Sequence, residues 1–295
     1  MTATERAATA IKSIKDEEWR TMAGLERASV GYGTADIGRL SRTSKLPPER
    51  VNFAVGELVR KGLANRRGSG FALTQAGVEA MALKDYVKKD LIFALGPIIA
   101  KGKESDVYEA VTEEGTKYAL KFYKIGRTSF TRVRRSRQRE GAEIKSWMTA
   151  NYEAARKEYS ALKKLRGLSA SFPEVIAFSR STVLSEQLPG VRLSQRPELV
   201  DPERALRSVL DAIRVAYVRA GLVSADLSEF NVLTDGERVW LIDWPQAVPA
   251  SHPNAADLLG HDVGAVLAFF KKAYRVEVEK AEALTFVTGR KSALE

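Results

Sequence analysis

Three oxygen-bearing side chains stand together in LVSADLSEFNVLTDGERVWLIDW, the stretch from Leu222 to Trp244. Asp226 precedes Asn231 by five positions, and Asp243 closes the apolar run VWLID. The short turn TDGE lies between the two halves, so the segment reads as a hairpin. A carboxylate, an amide and a second carboxylate in this order suit phosphoryl transfer. That chemistry needs one carboxylate beside an attacking hydroxyl, here Asp226. It also needs hard oxygen ligands for a divalent cation between phosphates, here Asn231 and Asp243. Taken singly, each aspartate would serve equally well in a turn.

Further groups of the same chemistry lie upstream. Lys121 sits in YALKFY, in mid-strand among apolar residues. On the inner face a lysine is costly unless it meets an anion, whereas on the outer face it meets water, and alternation alone leaves both open. In AKGKESDVY, Gly102 permits close backbone approach and Ser105 can donate to a phosphate oxygen. This is neither the GxxxxGK(S/T) loop nor GxGxxG, and an ordinary hairpin turn fits it as well. The segment EAARKEYSALKKL offers Glu153 and Glu158. A glutamate on a helix over the sheet would pair with Lys121 and hold it toward phosphates, while one facing water would pair with Lys157 or Lys163. Glu158 is the better placed, because Tyr159, Leu162 and Leu165 mark a packed face beside it. Lysine, glutamate, aspartate, asparagine, aspartate is also the order of the protein-kinase template.

These groups need a scaffold, and the composition supplies one. The chain has 295 residues, 44% hydrophobic and 28% charged, enough for one large domain or two ordinary ones. With no Cys there is no disulfide, thiolate metal site or cysteine nucleophile, and two His argue against a His-rich metal site. The net charge of +10, with pI ≈ 9.6, favours polyanions such as nucleic acid, nucleotide phosphates or anionic lipid without choosing among them. Charges break up the first residues, which lack the apolar core of a secretory signal. The most apolar run, LIFALGPIIA, falls well short of the ~20 residues that span a bilayer. These features predict a cytoplasmic protein without membrane partners.

The first ~85 residues read as helices followed by a small hairpin. In TADIGRLSRTSKLPPERVNFAVGELVRKGL two helices meet at a turn, with Ser44 or Pro47-Pro48 opening the second and Gly62 ending it. Val51, Val55, Leu58 and Val59 are expected on one face. LANRRGSGFALT then gives two extended runs around a turn, with Arg66 and Arg67 at the tip. Helix, turn, helix and hairpin form a winged-helix pattern, a module that docks proteins as readily as it reads DNA. Asn52 and Arg50 are the side chains best suited to base edges. TQAGVEAMALKDYVKKD continues as a helix, and ALGPIIAKGK is the expected boundary region. From about residue 98 strands follow. A long helix comes next, WMTANYEAARKEYSALKKL, then two strands in PEVIAFSRSTVLSEQL, and a mostly helical remainder beyond the hairpin. The expected fold class is α+β: a winged helix over 1–90, then a truncated two-lobed protein-kinase-like domain over 91–295. Its sheet-rich lobe is expected over about 91–187 and its helical lobe over about 188–295.

GKESDVY, YALKFYKIGR, KEYSALKKL, SADLSEFNVL and IDWPQAV…SHPNA resemble the RIO family of atypical serine/threonine protein kinases. The leading winged helix resembles its winged-helix-bearing subfamily, and the likeness covers nearly the whole chain. The resemblance implies ATP and Mg²⁺ as cofactors. It implies that Lys121 holds the ATP phosphates and pairs with Glu158, and that Gly102, Lys103, Ser105 and Val107 cover the nucleotide. Backbone groups of Glu186 and Leu188, in SEQLPG, would take the adenine. Asp226 would be the catalytic carboxylate, with Asn231 and Asp243 as Mg²⁺ ligands. Asp243 would also turn over as an aspartyl phosphate, and Asp262 in GHDVGAV would brace the loop. The resemblance further implies work on the pre-small-subunit ribosomal particle, its rRNA and its ribosomal proteins, as an ATP-driven switch as much as a kinase.

Two departures stand out: Ser224-Ala225 where the family usually has His-Gly, and Trp244 for the commoner Phe. The run GRTSFTRVRRSRQREG, Gly126 to Gly141, is too charged to pack. Its Arg132, Arg134, Arg135, Arg137 and Arg139 would suit rRNA phosphates, and Ser129, Thr131 and Ser136 self-phosphorylation; a solvated linker fits as well. Beyond Asp243 little room is expected for an activation segment or for peptide-docking helices. Two other readings are a small-molecule phosphotransferase of the aminoglycoside type, which shares D-x4-N and IDW, and a winged-helix nucleic-acid binder whose second half only senses ATP. GKESDVY, SEFN, Pro245-Gln246 and the winged helix speak against the former. Ser224-Ala225 is the best support for the latter.

Overall fold

The computed structural model describes residues 1–31, 33–125 and 147–293. The arginine run lies outside the described residues. The chain packs as two compact units, Met1–Ala155 with Phe178–Leu184, and Arg156–Ala177 with Ser185–Glu295.

In the first unit, α1 (Ala3–Ala10) opens with a capping box between Thr2 and Glu5. α2 (Asp16–Gly31) follows, then α3 (Ile37–Ser44), whose N-cap Asp36 accepts from the Arg39 N–H. Lys45 closes α3 in the left-handed region, and Pro48 stands in the first turn of α4 (Pro48–Arg60). α4 buries Val51, Ala54, Val55 and Leu58, whereas Val59 is 39% exposed. That corrects the expected face. Val59 lies about 80° around the helix from Val51, and burial of Ala54 on the other side swings the stripe away from it. Gly62, at φ 71°, turns the chain out of the helix into β1 (Ala64–Arg67) and β2 (Gly70–Leu73). Arg67 pairs with Gly70 across the hairpin end, and Arg66 and Arg67 are exposed. α5 (Gln75–Lys88), capped by Thr74, completes this helix–turn–helix–hairpin arrangement.

β3 (Ala94–Lys101), β4 (Ser105–Val111) and β5 (Lys117–Tyr123) follow, then α6 (Trp147–Leu165), β6 (Val175–Ser179) and β7 (Thr182–Glu186). The strands form one sheet in the order β3-β4-β5-β7-β6. β3 begins earlier than expected, inside the supposed boundary region. It is an edge strand whose register shifts between Leu95 and Ile98, which lets Gly96-Pro97 sit in the ladder. Leu120, Phe122 and Tyr108 are buried together, the two rings edge to face at 5.7 Å.

The second unit continues with β8 (Val191–Arg192), α7 (Pro202–Arg214), β9 (Leu222–Val223), β10 (Val232–Thr234), β11 (Val239–Leu241), β12 (Val248–Pro249), α8 (Ala255–Tyr274) and α9 (Lys280–Val287). α7 buries Leu206, Val209 and Leu210, and α8 buries Val263, Val266 and Phe270. One five-residue π-helical stretch, Val215–Arg219, leads from α7 toward β9. This unit holds more strand than expected: β8 pairs with the β10–β11 hairpin, and β12 pairs with β9. These short ladders clamp both ends of the loop that carries Asp226. No helix among the described residues is long and apolar enough to cross a membrane.

Candidate active site

The D-x4-N loop leaves β9 at Ser224, which is buried. Ala225 then adopts φ 65°, in the left-handed region, and turns the chain so that Asp226 is exposed while Leu227 is buried. Asn231 folds back on the loop: its Nδ2 donates to the Asp226 carbonyl oxygen at 2.8 Å. With the amide nitrogen used in this way, Oδ1 is the atom that Asn231 offers a ligand. The Asn231 carbonyl accepts from the Ile242 N–H at 2.9 Å, which brings Asp243 next to this loop. The strand proper ends at Leu241, and Asp243 lies just beyond it at φ 68°. Trp244 anchors the turn. It is 1% exposed, donates from Nε1 to the Leu241 carbonyl at 3.2 Å, and meets Phe172 edge to face at 5.7 Å.

The loop is braced from α8. The Asp262 carboxylate accepts from the Ala225 N–H at 2.8 Å and from the Leu227 N–H at 3.0 Å. Burial raises Asp262 to a pKa of about 6, against the pull of those two N–H groups. A small cavity of about 10 Å³ lies beside it, lined by Ser224, Leu227, Leu241 and Trp244 among others, with room for no more than one water.

Burial and the nearby Asp243 charge raise the Asp226 pKa, with His261 pulling the other way. A divalent cation would relieve this repulsion. Among the described residues no three His, Asp or Glu side chains gather into a metal cluster. Asn231 Oδ1 and the Asp243 carboxylate are therefore a partial set of hard oxygen donors. Such a set fits Mg²⁺ completed by phosphate oxygens and water, and not a site that the protein closes by itself.

The first unit carries Gly102, Lys103, Ser105, Val107 and Lys121. Gly102 and Ser105 form the β3–β4 turn, with the Gly102 N–H donating to the Ser105 carbonyl at 2.8 Å. A Cβ on Gly102 would meet that same oxygen at 3.0 Å. Val107 pairs with Lys121 across β4 and β5, and Lys121 Nζ stands 4.9 Å from the Tyr123 ring centre. Lys121 is half-buried, between the buried Leu120 and Phe122. Lys103 is exposed at the turn. Beneath it, Lys124 Nζ donates to Asp106 at 2.7 Å and the Lys124 N–H to the Glu104 carbonyl at 2.8 Å, which fixes the turn to the end of β5.

In the second unit Glu158 is 4% exposed, whereas Glu153 on the same helix is only half-buried. Glu186 ends β7, and its N–H donates to the Glu174 carbonyl at 2.8 Å. That N–H is committed, so the adenine contact expected of Glu186 would fall to its carbonyl. Leu188 follows in the half-buried segment leading to Gly190. The structure thus gathers Asp226, Asn231 and Asp243 at one loop, and Gly102, Ser105, Val107 and Lys121 on one pair of strands. Sequence reasoning passed over Glu26, Tyr152 and Arg180, whose mutual bonds join residues more than a hundred positions apart.

A D-x4-N loop followed by a hairpin and an aspartate, with a lysine-bearing antiparallel sheet and a buried helical glutamate, defines a protein-kinase-like chain. Residues 106–283 match the RIO domain family. The chain belongs to that family, the RIO-type atypical serine/threonine protein kinases. It is 33% identical to the RIO-type serine/threonine-protein kinase Rio2 of Methanocaldococcus jannaschii, over 82% of this chain and 92% of the relative. It is 29% identical to the serine/threonine-protein kinase rio2 of Schizosaccharomyces pombe, over 90% and 79%. The crystal structure of a Rio2 kinase from Chaetomium thermophilum, an ADP/Mg2+-phosphoaspartate complex, matches with a TM-score of 0.80 at 25% identity, covering 97% of this chain and 90% of that one.

Proposed function

We propose that the protein is an ATP- and Mg²⁺-dependent kinase and ATPase that transfers the γ-phosphoryl group through Asp243 and acts in maturation of the small ribosomal subunit. Residues 1–90 are read as a winged-helix module and 91–295 as the kinase domain. The observation that carries the reading is the loop itself: Asn231 clasped to the Asp226 carbonyl, and Asp262 bonded to the chain on both sides of Asp226. Support for nucleotide use also comes from the Chaetomium relative, crystallised with ADP, Mg²⁺ and a phosphoaspartate.

In this reading Lys121, paired with Glu158, holds the triphosphate, and the Gly102–Ser105 turn with Lys103 and Val107 covers it. The Glu186 carbonyl and the Leu188 backbone receive the adenine. Asn231 and Asp243 would hold Mg²⁺, which would supply neutralisation of the phosphate charge. An Asp243 carboxylate oxygen attacks the γ-phosphorus, a new P–O bond forms, the bond to the β,γ-bridging oxygen breaks, and ADP leaves. Water then cleaves the acyl phosphate, releasing phosphate and the free carboxylate. Asp226 orients the attacking water or a protein hydroxyl and accepts its proton.

The net charge of +10 supports a polyanionic partner, read here as rRNA with ribosomal proteins in the pre-small-subunit particle. The cytoplasm is the compartment proposed for this work. Incubation with ATP and Mg²⁺, followed by mass spectrometry, tests the reading: phosphate is expected on Asp243, and turnover is expected to vanish in Asp243→Asn. Wild-type turnover in that variant would reject the assignment. A second reading, an ATP sensor without turnover, draws on Ala225 at φ 65°, where the loop lacks a glycine. Tight ATP binding with no phosphate release or transfer under any condition would establish it instead.

A further inference from the structure

Arg180 turns the β6–β7 corner at φ 53°, an unusual conformation for a residue with a side chain. Its guanidinium lies between two helices of the N-terminal module. Nε and Nη2 donate to the two Glu26 oxygens of α2 at 2.7 and 3.3 Å. Nη1 donates to Asp85 of α5 at 2.6 Å and to the Met81 carbonyl at 3.3 Å. Ser179 adds a bond to Asp85 at 2.8 Å. Burial alone would lower the Arg180 pKa, but Glu26 and Asp85 more than offset it.

The same Glu26 Oε1 accepts from the Tyr152 hydroxyl at 2.5 Å. Tyr152 stands in the second turn of α6, and beside it the buried Asn151 accepts from the Ile125 N–H at 2.6 Å, where the chain leaves β5. The start of α6 is therefore tied to α2 through a charged group and to the end of the lysine strand through an amide. Glu158 lies six residues further along the same helix. A helix is stiff over two turns, so what holds Tyr152 also sets where Glu158 points.

We propose that Tyr152, held by Glu26 and Arg180, is a positioning residue for the nucleotide phosphates: through α6 it orients Glu158, and through Glu158 it orients Lys121. The proposal rests on the reading of Glu158 as the partner of Lys121. The N-terminal module then serves as a structural clamp of the nucleotide apparatus in addition to any partner it docks.

The test compares binding of adenosine with binding of the imido analogue of ATP plus Mg²⁺, by calorimetry, in wild type, Tyr152→Phe, Glu158→Gln and the double variant. Loss of the Tyr152 hydroxyl is expected to weaken the triphosphate about five- to tenfold, a part of what one charge-assisted hydrogen bond contributes, with adenosine affinity unchanged. Glu158→Gln is expected to weaken it at least as much, and the double variant no further, because both act through one group. Wild-type triphosphate binding in Tyr152→Phe alone overturns the positioning role. Equal losses for adenosine and triphosphate, or additive losses in the double variant, also overturn it by showing only packing. Wild-type binding in Glu158→Gln overturns the underlying pairing, and the proposal with it. Should Tyr152→Phe fold poorly, Glu26→Gln, which keeps an acceptor for the hydroxyl, is expected to bind the triphosphate more tightly than Glu26→Ala; no difference between the two counts against the proposal.

Discussion

Asp262 grips the chain on both sides of Asp226, one carboxylate oxygen on the Ala225 N–H at 2.8 Å and the other on the Leu227 N–H at 3.0 Å. Asparagine in its place has one acceptor oxygen and would point an NH₂ group at the other N–H. Asp262→Asn is expected to destabilise the protein by about 1 kcal/mol, the lost charge-assisted bond and unpaired N–H being partly offset because the amide escapes the burial that raises the carboxyl to about 6. Misplacement of Asp226 is expected to lower ATP turnover by on the order of tenfold or more. Urea denaturation and steady-state turnover of the variant check both, and a stable variant with full turnover removes the brace from the mechanism.

Ala225 holds φ 65° immediately before Asp226. A left-handed residue with a Cβ is strained by about 1–2 kcal/mol, and glycine removes that strain at the expense of a more flexible unfolded chain. Ala225→Gly is expected to gain about 0.5–1 kcal/mol net, read as a rise in melting temperature of about 1–4 °C. A lower melting temperature would mean that the surrounding hydrogen bonds depend on the alanine methyl.

Gly190 lies at φ 93° between Leu188 and β8, and a Cβ there would overlap the Thr234 carbonyl. Backbone, unlike a flexible side chain, cannot move aside, so β8 would have to separate from the β10–β11 hairpin. Gly190→Ala is expected to cost about 3 kcal/mol or more, from strain together with lost ladder bonds. Hydrogen exchange should show the added opening first at Thr234, with α1 and α5 unaffected; protection unchanged at Thr234 would contradict this account.

Local chemistry made much of this fold readable. Pro48 starts a helix and Gly62 ends it for reasons contained within one turn, and each does so in the structure. The ends of α6 were visible for a similar reason, since a long amphipathic run admits few alternatives. Asp226, Asn231 and Asp243 were visible because the chemistry restricts both their types and their spacing. Val59 was misplaced because Ala54, small and easily overlooked, takes the other flank of the buried stripe. The start of β3 was missed because Gly96-Pro97 reads as a break, and only pairing with β4 reveals an edge strand that absorbs it. Tyr152 and Arg180 carry no local signal at all, since their partner Glu26 lies 126 and 154 positions away.

Glu79 on α5 is 2% exposed, and its Oε2 has no hydrogen-bond partner, while Oε1 accepts from Gln75 at 2.8 Å. Burial raises its pKa to about 7; Gln75, Thr4 and Lys124 pull it down and Asp106 pushes it further up. A carboxyl raised in the folded state binds protons more tightly there than in the unfolded chain. Its contribution is therefore fully present below the ordinary value of 4.5 and disappears as pH rises through about 7. By linkage the wild type should lose about 2 kcal/mol from this group between about pH 5.5 and about pH 8. Glu79→Gln cannot ionise, so its stability relative to wild type should rise by that amount over the same interval. Urea midpoints of both proteins at the two pH values measure the difference directly, and parallel pH dependences would show that Glu79 is already ionised in the native protein.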